Sequence, residues 1–119
     1  MITLELINLL KNDKKLKAIE GLKIVPFGTT NRKAIVYKVV PLSSDKIKEI
    51  NRLEITVISE DFLEAEQILD IVKDILLTFG DSQLTNNILS VALNGGGSLE
   101  NLETGTIHLS AFFIVKNKF

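Results

Sequence analysis

Between Arg52 and Gly80 the chain changes its hydrophobic period without a linker. In "RLEITVIS", Leu53, Ile55 and Val57 alternate with Arg52, Glu54 and Thr56. A period of two is the mark of a half-buried strand. In "EDFLEAEQILDIVKDILLTFG", Ala65, Ile68, Leu69, Val72, Ile75, Leu76 and Phe79 fall on one helical stripe. Glu64, Glu66, Gln67, Asp70, Lys73 and Asp74 lie on the other side. Ser59 or Asp61 suits the helix start, where side-chain oxygens and acids meet unpaired N–H groups and the positive end of the helix dipole. Gly80 suits a left-handed stop. A helix with one apolar stripe must cover a partner surface, and the strand beside it supplies a sheet.

The flanking segments extend this plan. "ITLELINLLKNDKKLKAIEG" opens with Leu6, Ile7 and Leu10 at helical spacing, and Thr3 is a candidate cap. Asn12-Asp13 interrupts it, and a second turn carries Leu16 and Ile19 before Gly21. "LKIVPFGTTNRKA" contains Pro26, Gly28 and Asn31 and reads as an extended connection with a turn. "AIVYKVVPL" is a strand limited by Pro41. It is expected to pair antiparallel with "RLEITVIS" through a long polar connection, since a parallel crossover needs about a dozen residues or more. Asn87–Leu93 and Thr106–Lys118 are two further strands. The second turns apolar on both faces towards its end, which predicts cover on both sides. The expected fold is one α+β domain spanning residues 1–119. It has a mostly antiparallel four-stranded sheet, with an N-terminal helix and a central amphipathic helix packed on one face.

Composition narrows the function. The 119 residues carry no cysteine, which removes disulfides, thiolate metal sites and thiol catalysis. The net charge is −1, and no basic stripe with interleaved aromatics marks a nucleic-acid footprint. Lys11, Lys14, Lys15 and Lys17 cluster at a helix end, as a solvated face does. The runs "ILLTF" and "AFFIV" are far below the ~20 residues of a spanning helix. The hydrophobic share is 45% and the mean hydropathy is +0.24. Such values fit either a full core alone or a core plus surface that oligomerisation covers.

"NGGGSLENLETG", Asn94–Gly105, is the one segment that invites a phosphate-binding reading. A P-loop needs a lysine and a hydroxyl residue opening a helix, and a dinucleotide fingerprint needs a βαβ setting. Neither is present. Asn94-Gly95 is instead a hairpin signal between two strands. A connection of about twelve residues is long for a hairpin. Either it contacts something or it is a floppy tip. "SLENL" offers one helical turn capped by Ser98, or Leu99 and Leu102 as contacts for a neighbouring subunit. His108 is the single histidine. Ser110 lies alongside it on the same strand face, a poor geometry for a nucleophile and its base. The acids of the central helix have the spacing of a solvated face, with no pair set apart for acid–base work. No cofactor, metal site or catalytic group is expected.

The order of elements carries a resemblance. An N-terminal helix leads to "KAIVYKVVPL". "NRLEITVISED" then runs straight into "FLEAEQILDIVKDILL", and a hairpin ends in "ETGTIHLSAFFIVKNK". This pattern resembles the tail terminator, or tail-completion, proteins of long-tailed bacteriophages, also called head–tail joining or minor capsid proteins. The resemblance spans nearly the whole chain and rests on no catalytic motif. It implies a structural virion protein at the head-proximal end of the tail, present in the host cytoplasm during assembly. It also implies a homo-oligomer, a hexameric ring on the tail-tube protein that ends tube growth and meets the head connector. DNA only passes through such a ring, and no membrane is involved.

The segments expected to make contacts are the loop with Asn94, Gly95, Gly96, Gly97, Leu99 and Leu102, and the polar connection with Ser43, Ser44, Asp45, Lys46 and Lys48. The alternative from a different class is a small cytosolic module that holds a protein or peptide by strand addition, without catalysis.

Overall fold

The computed structural model describes residues 2–26, 32–79, 82–101 and 105–118. Its elements run α1 (Ile2–Lys11), α2 (Lys14–Lys17), β1 (Lys23–Pro26), β2 (Ala34–Ser44), β3 (Lys48–Ser59), α3 (Phe62–Leu76), β4 (Ile88–Asn101) and β5 (Thr106–Lys118). The strands form one sheet in the order β1-β2-β3-β5-β4. Every pair is antiparallel except β1 with β2. The fold is therefore the expected mostly antiparallel α+β sheet, with α1 and α3 on one face. It has five strands rather than four. The extra strand, β1, is four residues long and ends in Pro26, too short to show a period in the sequence.

The β3–α3 unit forms as its two periods require. On β3, Asn51, Leu53, Ile55, Val57 and Ser59 point into the core. On β5, Leu109, Ala111, Phe113, Val115 and Asn117 share that face, in an uninterrupted register with β3. The α3 stripe of Ala65, Ile68, Leu69, Val72 and Leu76 packs against them, joined by Leu6, Ile7 and Leu10 of α1. Burying each large aliphatic side chain contributes about 1.5–3 kcal/mol relative to exposure.

Local chemistry fixes the turn between β3 and α3. Asp61 caps the helix, its Oδ1 accepting from the Leu63 N–H at 3.0 Å. The Ser59 hydroxyl accepts from the Asp61 N–H and donates to Glu64 Oε1 at 2.8 Å. Lys33 Nζ lies 3.2 Å from Glu64 Oε2. The Ser59 hydrogen bond, and then Lys33, hold the Glu64 carboxyl below the ordinary carboxylate range.

Several boundaries differ from expectation. α1 begins at Ile2, so Thr3 lies inside the helix and does not cap it. Asp13 does cap α2, accepting from the Leu16 N–H at 3.1 Å. α3 stops at Leu76, because Thr78 leaves the helix to bond β4. Its N–H donates to Val91 O, and its hydroxyl accepts from the Val91 N–H. Phe79 therefore misses the apolar stripe and is exposed. The expected stop at Gly80 lies outside the described residues, as do Gly28 and Asn31.

Pro41 does not end β2, which continues to Ser44. β1 pairs only with Ala34–Tyr37, so Pro41 lies where β2 has no outer neighbour, next to a bulge at Leu42. That is where a strand tolerates proline. The long polar connection from β2 to β3 is really a tight turn of Asp45–Ile47 between two extended strands.

The glycine segment is also strand, not loop. β4 runs through it to Asn101, which excludes the helical turn at Ser98. Asn94 and Gly95 together oppose the single residue Phe112, making a bulge. Gly95 takes φ +100°, a conformation costly for other residues. At Gly96 a Cβ would sit 2.4 Å from the Ser110 carbonyl oxygen. At Gly97 it would meet nothing within 4 Å. The three glycines thus have three different environments.

Two predictions follow from these contacts. Gly96→Ala should lower stability by about 1–3 kcal/mol, because backbone must shift to admit the methyl group. Gly97→Ala should stay within about 0.5 kcal/mol of the parent. Urea unfolding measures both, and equal effects would refute the close-approach account. For Glu64, the folded state binds the proton less readily than the unfolded chain does. Its stabilisation is present above the ordinary value of 4.5 and is lost as pH falls through the lower folded value. Glu64→Gln should therefore cost about 0.5–1 kcal/mol at pH 7 for so exposed a pair. The parent–variant difference in unfolding free energy should close towards pH 3.

Candidate functional site

Among the described residues, the hydroxyl and imidazole groups singled out in the sequence have separate partners. His108 Nε2 lies 3.2 Å from Thr106 Oγ1 on its own strand. The Ser110 hydroxyl is bonded across the sheet to Thr56 Oγ1 at 3.0 Å. The His108 ring and the Ser110 hydroxyl thus engage Thr106 and Thr56 respectively. No cluster of metal-ligating side chains occurs among the described residues. No helix among them is long and apolar enough to cross a membrane.

The residues expected to make contacts fall in two separate places. Ser43 and Ser44 end β2, Asp45 and Lys46 form the turn, and Lys48 opens β3. Asn94, Gly95, Gly96, Gly97 and Leu99 lie in β4. Leu102 lies outside the described residues. Leu99 is level with His108, which pairs with Ile58. Ile58 lies ten residues along β3 from Lys48, about 33 Å of extended chain. The sheet holds the two segments apart.

The β2–β3 tip is a projecting and well-ordered feature. Every residue from Pro41 to Lys48 is exposed. The core closes just before it, at a buried pair in which Asn51 Nδ2 donates to Asn117 Oδ1 at 2.8 Å. At the tip, Asp45 Oδ1 accepts from the N–H groups of Ile47 and Lys48 at 2.7 and 2.8 Å. These bonds, that of Lys48 first, hold the Asp45 carboxyl below its ordinary range. The Asp45 N–H donates to Lys48 O, closing the turn. The side chain so presented is Ile47, 80% exposed, between Lys46 and Lys48. Reading this segment as a polar connection misses Ile47. The signal is an apolar residue between two lysines at a turn.

No helix or strand among the described residues covers the face of the sheet away from α1 and α3. Arg52, Glu54, Thr56, Phe112 and Ile114 are half-buried on it. Arg52 lies over the Phe112 ring at 6.0 Å and pairs with Glu54 at 3.5 Å. Of the two-sided cover expected at the end of β5, the helix side is in place, and on the other face Phe112 and Ile114 are half-buried. Along the β4 margin, Leu99 is 67% exposed beside His108, Ser110 and Phe112, in a shallow groove of about 230 Å³. The outer edge of β4 has no strand partner in the sheet.

On the helix side of the sheet, residues of α1 and α3 line a groove of about 650 Å³. Leu9, Ile71 and Ile75 form its apolar lining, and Glu5, Asp13, Asp74 and Lys15 stand around it. The carboxylates outnumber the ammonium groups. Glu5 is held by the Thr85 hydroxyl at 2.6 Å, while Asp74 is exposed.

No family model matches the chain, and no curated protein does. Among solved structures, the fold is similar to that of a chain in "Virion of native gene transfer agent (GTA) particle". The TM-score is 0.71 at 16% sequence identity, covering 96% of this chain and 92% of that one. At that identity the likeness is one of fold, and it extends over nearly the full length of both chains.

Proposed function

We propose that this chain is a structural virion protein of a phage-type particle. It assembles as a ring, hexameric by resemblance, at the head-proximal end of the tail. There it ends growth of the tail tube and meets the head connector, and DNA passes through without being bound. The observation that carries this reading is the nearly full-length fold likeness to a chain of a gene transfer agent virion. The order of elements in the sequence supports it independently, through the resemblance to tail terminators. The surface agrees with an assembling protein: an uncovered sheet face, a β4 edge with no strand partner, and exposed Leu42, Ile47, Leu93 and Leu99. Scattered apolar residues are ordinary on monomers, so the fold likeness carries more weight than they do.

The β4 edge also favours a second reading, strand addition by a peptide. The two readings differ in what the purified protein does. A tail terminator should form closed rings by negative-stain microscopy, in solution or on purified tail tubes, and should block further tube growth. A strand-addition module should stay monomeric, leave tubes uncapped and bind extended peptides.

Leu99→Asp provides a residue-level prediction. Its side chain is largely exposed, so unfolding free energy should change by less than about 0.5 kcal/mol. If β4 makes subunit or tube contacts, assembly measured by light scattering should weaken by about tenfold or more, the effect of a charge placed in an apolar contact. Unchanged assembly would remove β4 from the contact surface.

A further inference from the structure

We propose that the β2–β3 tip of one copy docks in the α1–α3 groove of a second copy, with Ile47 as the inserted side chain. This rests on the assembly reading above and specifies its contact.

Three observations lead to this occupant. The groove has an apolar lining of Leu9, Ile71 and Ile75 and a rim with excess carboxylate. It therefore fits an apolar side chain flanked by cations. Leu4, Leu42, Ile47, Phe62, Leu63, Phe79, Leu93 and Leu99 are the large exposed apolar residues among those described. Only Ile47 has a basic residue on each side. The tip is also pre-ordered by the Asp45 hydrogen bonds, so little conformational freedom is lost on docking. The tip runs along the strands beyond Asn51, whereas the groove is lined by α1, α3 and the link to α2. The contact joins two different patches, so it is heterologous, and repeating it gives a ring when the rotation closes.

The absence of cysteine makes a clean test available. A chain carrying Lys46→Cys and Asn8→Cys places one thiol beside the knob and one on the groove rim, both at exposed positions. With a short bis-maleimide it should give a covalent ladder of multimers. A mixture of the two single variants should give dimers only, and either single variant alone should give none. Rings that form normally without a ladder would overturn this contact and leave the assembly reading standing. Absence of multimers both in solution and on tail tubes would overturn both.

Charge exchange is the second arm. Lys46→Glu with Lys48→Glu should raise the concentration needed for assembly by about tenfold or more. Adding Asp74→Lys in the same chain should recover part of the loss. Equal assembly by the parent and the double-glutamate variant, or no recovery, would overturn the proposal. Circular dichroism and urea unfolding of each variant separate loss of docking from loss of fold.

Discussion

The helix layer is shorter than the sheet it covers, and most of the surface follows from that mismatch. α3 has 15 residues, or about 22 Å of helix. β3 has 12 residues, or about 40 Å of strand. The helix layer therefore leaves the Lys48 end of the strand beyond its cover. The buried residues mark the limit. Core packing runs from Ser59 to Asn51, and there the Asn51–Asn117 pair closes it. Two buried amides with a mutual hydrogen bond are stable where two unbonded ones would not be. Beyond them Glu49 and Ile50 are half-buried, and Pro41–Lys48 is exposed at every residue. Strands that outrun their cover lie open to another surface, and here they are long.

The same constraint accounts for the composition. A 45% hydrophobic share is more than the single helix-facing core consumes. The remainder appears as half-buried Phe112 and Ile114 on the second sheet face and as fully presented residues such as Ile47 and Leu99. Stability alone does not require a Lys-Ile-Lys tip held rigid by Asp45. A flexible polar turn would connect β2 and β3 equally well. A rigid, apolar-centred tip makes physical sense as one half of a contact whose other half lies on a different molecule.

Legibility of the fold in the sequence tracks the length of each periodic signal. The switch from period two to period 3.6 at Ser59–Asp61 is long and unambiguous, and the structure reproduces it with the Asp61 cap. β1 has four residues and a proline, so no period could reveal it. Pro41 misleads because its meaning depends on whether a neighbouring strand lies outside it, which is a property of the sheet. The glycines mislead for a related reason. Asn-Gly is a turn signal when the flanking strands turn there, but here the pair forms a bulge, and Gly96 admits the close approach of the Ser110 carbonyl. A strand partner in β5, remote in sequence, decides between these outcomes. Residues 94–99 and 43–48 stand out in the sequence as unusual, but nothing there shows that the sheet puts Leu99 about 33 Å of strand away from Lys48.

That separation bears on assembly. The β3–β5 and β4–β5 registers keep the two segments at different levels of the sheet. In the proposed ring they would act as two separate surfaces, one at the tip and one along the β4 margin. A ring-forming subunit needs at least two: a heterologous patch that meets its neighbour, and a further surface for whatever the ring sits upon. The tip has a complementary groove on the same chain, which suits it to the neighbour. In that arrangement the β4 margin, with Leu99 and no strand partner among the described residues, would face the partner of different sequence. Self-assembly and docking would then use separate parts of the sheet. A substitution at Leu99 should then impair attachment to the tube while leaving subunit cross-linking through the tip intact.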